Sequence, residues 1–253
     1  MELQNRVAIV TGGASGLGRS TVERFVERGS QVAIFDLNEE AGNALAQDLG
    51  EQAIFCQVDV ANDDSVAAGI AAVMAEFAAI HICVNCAGRS SGATKTLSRK
   101  GVFPMDLFRD VININLVGTF NVLSHAAEKM AENEADENGE RGVIINTASI
   151  AAYEGQKGQV AYAASKGGMV SMTLPIARDL ANYGIRIVTI APGLFETPIL
   201  KGLSPEIKAD LAKNIPSPSR LGDINEFAAL AEHIVNNCYI NGETIRLDAA
   251  LRM

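Results

Sequence analysis

Tyr162 and Lys166 lie four residues apart in a run, Val160 to Leu174, rich in Ala, Met, Leu and Ser. That composition predicts a helix, and at that spacing the two side chains share one face, a turn apart. A lysine ammonium beside a phenol stabilises the phenolate. Free tyrosine titrates near ~10, so one that trades protons near neutrality needs about 1.4 kcal/mol per unit by which it is lowered. Ser149 stands thirteen positions before Tyr162, at the end of the apolar run Val143-Ile144-Ile145. It returns to Tyr162 only if a strand and a helix pack side by side. A hydroxyl, a phenol and an ammonium gathered in this way could hold an alcohol or carbonyl oxygen and move its proton. Tyr-x-x-x-Lys is also common on ordinary helix surfaces, so the elements around the pair must decide its meaning.

A second cluster opens the chain. Thr11-Gly12-Gly13-Ala14-Ser15-Gly16-Leu17-Gly18 follows the apolar run Val7–Val10 and leads into a helix-type run, Leu17–Gly29. Glycines there let the backbone turn tightly and approach a pyrophosphate at a helix N-terminus. The spacing, through Gly12, Gly16 and Gly18, is G-x-x-x-G-x-G. Asp36 lies eighteen positions beyond Gly18, at the end of the second apolar run. A carboxylate there accepts from a ribose 2′-hydroxyl and repels a 2′-phosphate, which predicts NAD rather than NADP. Arg19 is near enough to complicate that choice.

The elements that position these groups alternate. Strand-type runs are Val7–Val10, Gln31–Phe35, Ala53–Val58, Ile80–Val84, Val143–Asn146, Ile185–Ile190 and Thr244–Leu247. Helix-type runs between them are Leu17–Gly29, Glu39–Leu49, Asp63–Phe77, Met105–Ala131, Val160–Tyr183 and Asp223–Val235. Strict alternation predicts an α/β fold: a single-domain, Rossmann-type, doubly wound parallel sheet of about seven strands with helices on both faces. The strands are nearly continuous apolar runs, as burial on both faces demands. Residues 1–253 read as one domain. Three segments interrupt the rhythm: Arg89–Pro104, the acidic Asn133–Arg141, read as a solvated loop, and Glu196–Gly222.

The 253 residues suffice for one substantial core, and 48% hydrophobic with 20% charged residues describes a soluble globular chain. A net charge of −9 without a long basic run argues against nucleic acid as a partner. No apolar stretch reaches membrane-spanning length, so no membrane partner is expected. Met1 to Arg6 leave no room for a targeting segment ahead of the first strand. Four cysteines are too few for a disulfide scaffold, and Cys83 and Cys86 are spaced to face opposite sides of a strand. The three histidines show no metal-ligand spacing, so no metal is expected. The expected setting is reduced and intracellular: cytoplasmic, or the mitochondrial matrix in a eukaryote.

Gly12, Gly16 and Gly18, then Asn85-Cys86-Ala87-Gly88, Asn115, Ser149, Tyr162 and Lys166 together resemble the short-chain dehydrogenase/reductase family over nearly the whole chain. The stretches 145–149, 162–168, 173–180, 190–195, 218–222 and 245–248, with the insertions at 89–104 and 133–141, resemble the subgroup acting on 3-hydroxyacyl-CoA thioesters. Glu196 departs from it, standing where that pattern has a glycine. The resemblance implies an NAD-dependent dehydrogenase of acyl-CoA substrates, with other secondary alcohols, including hydroxysteroids, as further substrates. Tyr162 is then the base in oxidation and the acid in reduction. Lys166 lowers its pKa and holds the nicotinamide ribose, Ser149 bonds the substrate oxygen, and Asn115 holds a water linking Lys166 to solvent. Gly12, Ser15, Gly16, Leu17 and Gly18 take the pyrophosphate. Asp59 and Val60 border the adenine. Asn85, Cys86, Ala87 and Gly88 line its ribose, with Cys86 a wall residue. Pro192, Gly193, Leu194, Phe195 and Thr197 meet the nicotinamide side.

Two further expectations concern partners. Ala163, Ala164, Gly167, Gly168 and Ser171 form a small-residue face on the Tyr162 helix that lets another helix approach. The resemblance adds Met105–Ala131 to that contact and Ile245–Met253 to a second one, implying a homotetramer. Arg89, Lys95, Arg99 and Lys100 form a basic stretch for the phosphates of coenzyme A, and 196–220, including Pro198, Ile199, Leu200 and Leu203, form a lid over the acyl chain. The alternatives are a 3-oxoacyl-carrier-protein reductase, which Asp36 argues against, and a non-catalytic nucleotide sensor, which the intact Ser149, Tyr162 and Lys166 argue against.

Overall fold

Alternate residues of the first strand serve opposite cores: Ala8 and Val10 face one side, Val7 and Ile9 the other. That division follows from the two-residue period of a strand covered on both faces, and it organises the molecule. The structure, a computed structural model, describes residues 1–99, 101–197 and 204–253. β1 (Val7–Thr11) leads to α1 (Gly16–Glu27), β2 (Gln31–Asp36) to α2 (Glu39–Leu49), and β3 (Ala53–Gln57) to α3 (Asp63–Phe77). After β4 (Ile82–Asn85) come a hairpin of β5 (Leu97–Ser98) and β6 (Gly101–Val102), then α4 (Met105–Ile112) and α5 (Gly118–Met130). β7 (Gly142–Thr147), α6 (Ala151–Glu154), α7 (Val160–Leu180), β8 (Ile185–Pro192), α8 (Pro205–Ala212), α9 (Ile224–Asn236) and β9 (Thr244–Leu247) follow.

The main sheet runs β3-β2-β1-β4-β7-β8-β9 with every pairing parallel. The chain builds outward from β1 to β3, then returns to β4 on the other side of β1. The reversal opens a crevice beyond the C-terminal ends of β1 and β4, where ligands of such sheets bind. On one face, Phe25 of α1 and Phe227 of α9 are wholly buried against β1 and its neighbours. On the other, α3, α5 and α7 cover Ile9, Cys83, Ile144 and Ile187. Burying one side chain of this size contributes roughly 1.5–3 kcal/mol. Asp223 and Glu226 close the start of α9 with a reciprocal capping box.

Two expectations gain detail here. Met105–Ala131 is helical throughout, as expected, but a five-residue π-helical turn, Asn113–Val117, lies within it between α4 and α5. Such a turn fits one extra residue into a helix and is found at functional sites; here it holds Asn115, which is fully buried. The acidic stretch 133–141 is not wholly solvated. Glu140 turns inward and accepts from Arg186 Nε at 2.7 Å and from the Met1 amino group at 2.9 Å. An arginine enclosed by protein needs a counter-charge, and this loop supplies it.

His81 gives β4 its start by an uncommon route. Its Nδ1 accepts from Val7 N at 3.2 Å, so the ring must be neutral at that atom. Burial, with Arg6 nearby, pulls its pKa down to about 4. Among the described residues no helix is long and apolar enough to cross a membrane, and no group of His, Cys, Asp and Glu could hold a metal ion.

Candidate active site

The glycine turn fits the crevice because it has no room for side chains. Thr11 ends β1, and its Oγ1 accepts from Cys86 N at 3.1 Å and Ala87 N at 3.0 Å, locking the ends of β1 and β4 together. Gly12 has φ +63°, and a Cβ there would stand 2.9 Å from Ala87 N. A Cβ on Gly18 would stand 2.2 Å from Gly12 O. Ser15, the residue before α1, is extended and makes no side-chain cap, and the first turn of α1 holds no acid. By contrast, α2 opens with Glu39 and Glu40 and α3 with Asp63 and Asp64. Of these three helices, the one facing the crevice is left open for an external anion, as a dinucleotide's pyrophosphate requires. Leu17 packs against the core beside this turn.

Asp36 ends β2 next to the turn. Its Oδ2 accepts from Ala14 N at 3.1 Å and its Oδ1 from Asn38 N at 3.0 Å. These bonds fix the carboxylate while leaving it further lone pairs to offer. Arg19, near enough to bear on the choice of nucleotide, donates from Nε to Glu23 at 2.8 Å on the exposed surface of α1. Asp59 bonds the following turn through Oδ1, and Val60 points into the core. Asn85 is buried, with its Nδ2 donating to Asn146 Oδ1 at 3.0 Å across the sheet. Cys86 Sγ lies 3.3 Å from Thr147 Oγ1, and burial pushes the thiol up to about 11. A thiol so protected stays protonated, as befits a wall rather than a nucleophile. Gly88 brings the chain against Asn115 and Lys166.

Pro192 closes β8 and its carbonyl accepts from Ile150 N at 3.1 Å. Gly193 N donates to Leu247 O at 2.9 Å. Phe195 is only 6% exposed, its side chain committed to the core, so for it and Asn85 the expected cofactor contact narrows to the backbone. Thr197 N bonds back to Phe195 O at 2.7 Å. The two stems of the expected lid are paired, Glu196 N to Gly222 O at 2.9 Å and Gly222 N to Leu194 O at 2.8 Å. Pro198, Ile199, Leu200 and Leu203 lie outside the described residues, as does Lys100. Arg89 is less free than the sequence suggested, since it pairs with Asp110 of α4; Lys95 and Arg99 are exposed.

Ser149, Tyr162 and Lys166 do converge. Ser149 follows β7 and brings its hydroxyl close enough to Tyr162 to favour the phenolate. Lys166 is buried one turn along α7, 5.7 Å from the centre of the Tyr162 ring, and its Nζ donates to Thr147 O at 2.6 Å. Burial pulls the Lys166 pKa down to about 8, against the opposing pull of Cys86. Lys166 was expected to lower the phenol pKa; in the protein without nucleotide, burial raises it, and the Ser149 hydroxyl opposes that only in part. The ammonium sits over the ring, tied to Thr147, in surroundings that disfavour charge on either group.

Asn115 lies beside this set, braced on both sides. Its Nδ2 donates to Arg89 O and Ser165 Oγ, both at 3.0 Å, and its Oδ1 accepts from Arg89 N at 2.8 Å. Both donors of the side chain are thus engaged in bracing β4's exit against α7, while Oδ1 keeps a second lone pair. Ser165 completes the brace by donating to Tyr162 O at 2.7 Å. Sequence reasoning missed Thr11 and Ser165, although each directly precedes a residue it had singled out.

Comparison with known proteins agrees with this geometry. The short chain dehydrogenase family matches residues 6–208. The 3-hydroxyacyl-CoA dehydrogenase type-2 of Bos taurus is 50% identical over 248 residues, 98% of this chain and 95% of that protein. That of Drosophila melanogaster is 48% identical over 252 residues, 99% of each chain. A crystal structure of 3-hydroxyacyl-CoA dehydrogenase type-2 from Mycobacterium avium superposes with a TM-score of 0.95 at 44% identity, over 100% of this chain and 98% of that one. The chain belongs to the short-chain dehydrogenase family, oxidoreductases that work with a nicotinamide cofactor.

Proposed function

We propose that the protein oxidises 3-hydroxyacyl-CoA thioesters to 3-oxoacyl-CoA, reversibly, with NAD as the hydride acceptor. The observation that carries this is the convergence of Ser149 and Tyr162 with Lys166 over the ring, set beside an open helix N-terminus and the Asp36 carboxylate. In that site Ser149 holds the substrate oxygen and Tyr162 takes its proton. Lys166 keeps a positive charge beside the phenol and meets the nicotinamide ribose. Asn115 and Ser165 fix the backbone on which these groups stand. Bound NAD supplies the hydride acceptor; the protein supplies position and charge. The substrate class is supported by the relatives' names over nearly full length.

Asp36 makes the nucleotide NAD, because a 2′-phosphate would stand against its carboxylate. Lys95 and Arg99 face the phosphates of the thioester, and residues 196–220 fold over its acyl chain. The test is a panel of 3-hydroxyacyl-CoA substrates and one uncharged secondary alcohol, each with NAD+ and NADP+. Turnover of thioesters is expected, with NAD+ preferred by at least about tenfold and the preference narrowed by Asp36→Ala. Equal use of both nucleotides by the unmodified protein refutes the role of Asp36. Absence of thioester turnover beside alcohol turnover refutes the substrate.

The assembly proposed is a homotetramer. Val117, Phe120 and Leu174 are large apolar side chains left about half exposed on α5, the turn before it and α7, and the small Ala164 and Ser171 of α7 are exposed too. An exposed apolar stripe of this kind calls for a partner surface. Light scattering at micromolar concentration is expected to give four times the chain mass, and a monomer there would rule the assembly out. Four thiols, none in a disulfide, suit a reducing compartment: the cytoplasm, or the matrix in a eukaryote.

A further inference from the structure

Arg246 lies on β9, opposite Ala191 of β8, far along the chain from every residue of the catalytic set. Its guanidinium nonetheless reaches the segment that joins Ser149 to Tyr162. Nη1 and Nη2 donate to the two oxygens of Glu154, each at 2.9 Å. The same group lies 5.0 Å from the centre of the Tyr153 ring. Tyr153 and Glu154 are the last residues of α6, whose first turn is tied to Ser149: Ala151 N donates to Ser149 Oγ at 3.1 Å. At the other end, Gly155 leaves no room for a side chain beside Ala163, the neighbour of Tyr162: a Cβ there would stand 2.9 Å from the Ala163 Cβ.

A second arm of the cluster reaches the opposite wall. Arg246 Nε donates to Asp248 Oδ2 at 2.7 Å, and Asp248 Oδ1 accepts from Ala250 N at 3.0 Å. Asp248 is wedged against the turn after β8, where a Cβ on Gly193 would stand 2.9 Å from its Cα and Cβ. Arg252 Nη1 closes the group on Asp248 at 3.1 Å. Two arginines thus face two carboxylates, and the Arg246 and Glu154 side chains are only 23% and 25% exposed. A pair at this depth is worth little as net stability, but a planar fork on a carboxylate fixes orientation in a way a point charge does not.

We propose that Arg246 is a positioning residue: it holds the Ser149–Tyr162 connection and the Gly193 turn in one relative geometry, so that the substrate oxygen meets both hydroxyls. The proposal rests on the reading of Ser149 and Tyr162 as the reacting pair. A small displacement of such groups can cost ~100-fold in rate, while binding contacts elsewhere survive. Lost positioning therefore appears in kcat and not in nucleotide binding.

The test compares Arg246→Met, Arg246→Lys and Glu154→Gln with the unmodified protein. Folding is checked by circular dichroism and light scattering, and the readouts are kcat, KM and NAD affinity. Arg246→Met is expected to lower kcat about 10- to 100-fold while NAD affinity and KM stay within about threefold. Arg246→Lys keeps the charge without the fork and is expected to recover only a small part of the loss. Glu154→Gln keeps the shape and answers the question should Arg246→Met fail to fold; its kcat is expected to fall about three- to tenfold. Any of three results overturns the proposal: a folded variant at either position with kcat near normal, full recovery by Arg246→Lys, or a loss confined to nucleotide affinity. Tyr162→Phe is run beside them. If it keeps its turnover, the catalytic reading fails; if it collapses while Arg246→Met and Glu154→Gln do not, only the positioning role fails.

Discussion

Tyr162→Phe lowers kcat for alcohol oxidation by about 10²- to 10⁴-fold, the range expected when a positioned proton acceptor is removed. The substitution deletes one hydroxyl and leaves the ring under Lys166 Nζ, so packing and NAD affinity change little. The pH profile carries a second expectation. Burial holds the Tyr162 phenol above its ordinary range in the protein without nucleotide, with the Ser149 hydroxyl opposing. The base form is therefore scarce near neutrality, and oxidation should accelerate as pH rises. That slope should vanish in Tyr162→Phe. Ser149→Ala removes the opposing hydroxyl and should move the slope to higher pH while lowering kcat. A Tyr162→Phe variant that keeps most of its rate, or its slope, would show that another group moves the proton. Lys166→Ala is expected to be as severe and also to weaken NAD, because one ammonium serves both the phenol and the ribose.

Much of this site was legible because its signals are local. A strand that ends in Thr11-Gly12 and turns into a helix at Gly16 writes its function within a few residues. The four-residue spacing of Tyr162 and Lys166 also survives any detail of packing, since a helix fixes it. Asp36 could be placed because the end of β2 must lie beside the end of β1. What stayed hidden depends on partners distant in sequence. Nothing near Asn115 announces that its amide will be taken up by Arg89 and Ser165, or that a π turn will aim it there. The upward pull on Tyr162 was missed for the same reason: it comes from burial by the assembled fold, whereas the neighbouring lysine is visible in the sequence.

Glu140→Ala should destabilise the fold by about 3–5 kcal/mol, the usual cost of leaving one charge of a buried pair alone. The Glu140 and Arg186 side chains are 4% and 7% exposed. Arg186 also donates to Ile240 O at 2.8 Å and Val235 O at 3.1 Å, and so ties β8 to the end of α9 and the turn beyond it. Without Glu140 the guanidinium keeps those bonds but loses its counter-charge in a place that water does not reach. Arg186→Met should also be costly, because it strands the two carbonyls and leaves Glu140 with the Met1 ammonium as its remaining cation. The double variant Glu140→Met with Arg186→Met should cost less than the sum, since neither member of the pair is left facing an empty place; the remaining loss is the two carbonyl bonds and the bond from the buried Met1 ammonium to Glu140. Urea unfolding at fixed protein concentration measures all three, with concentration held constant because assembly also stabilises the fold. Single variants that lose less than about 1 kcal/mol would place the pair with ordinary surface bridges. Additive losses would mean that Glu140 and Arg186 act separately, and that the loop at 133–141 is held by something other than their charge.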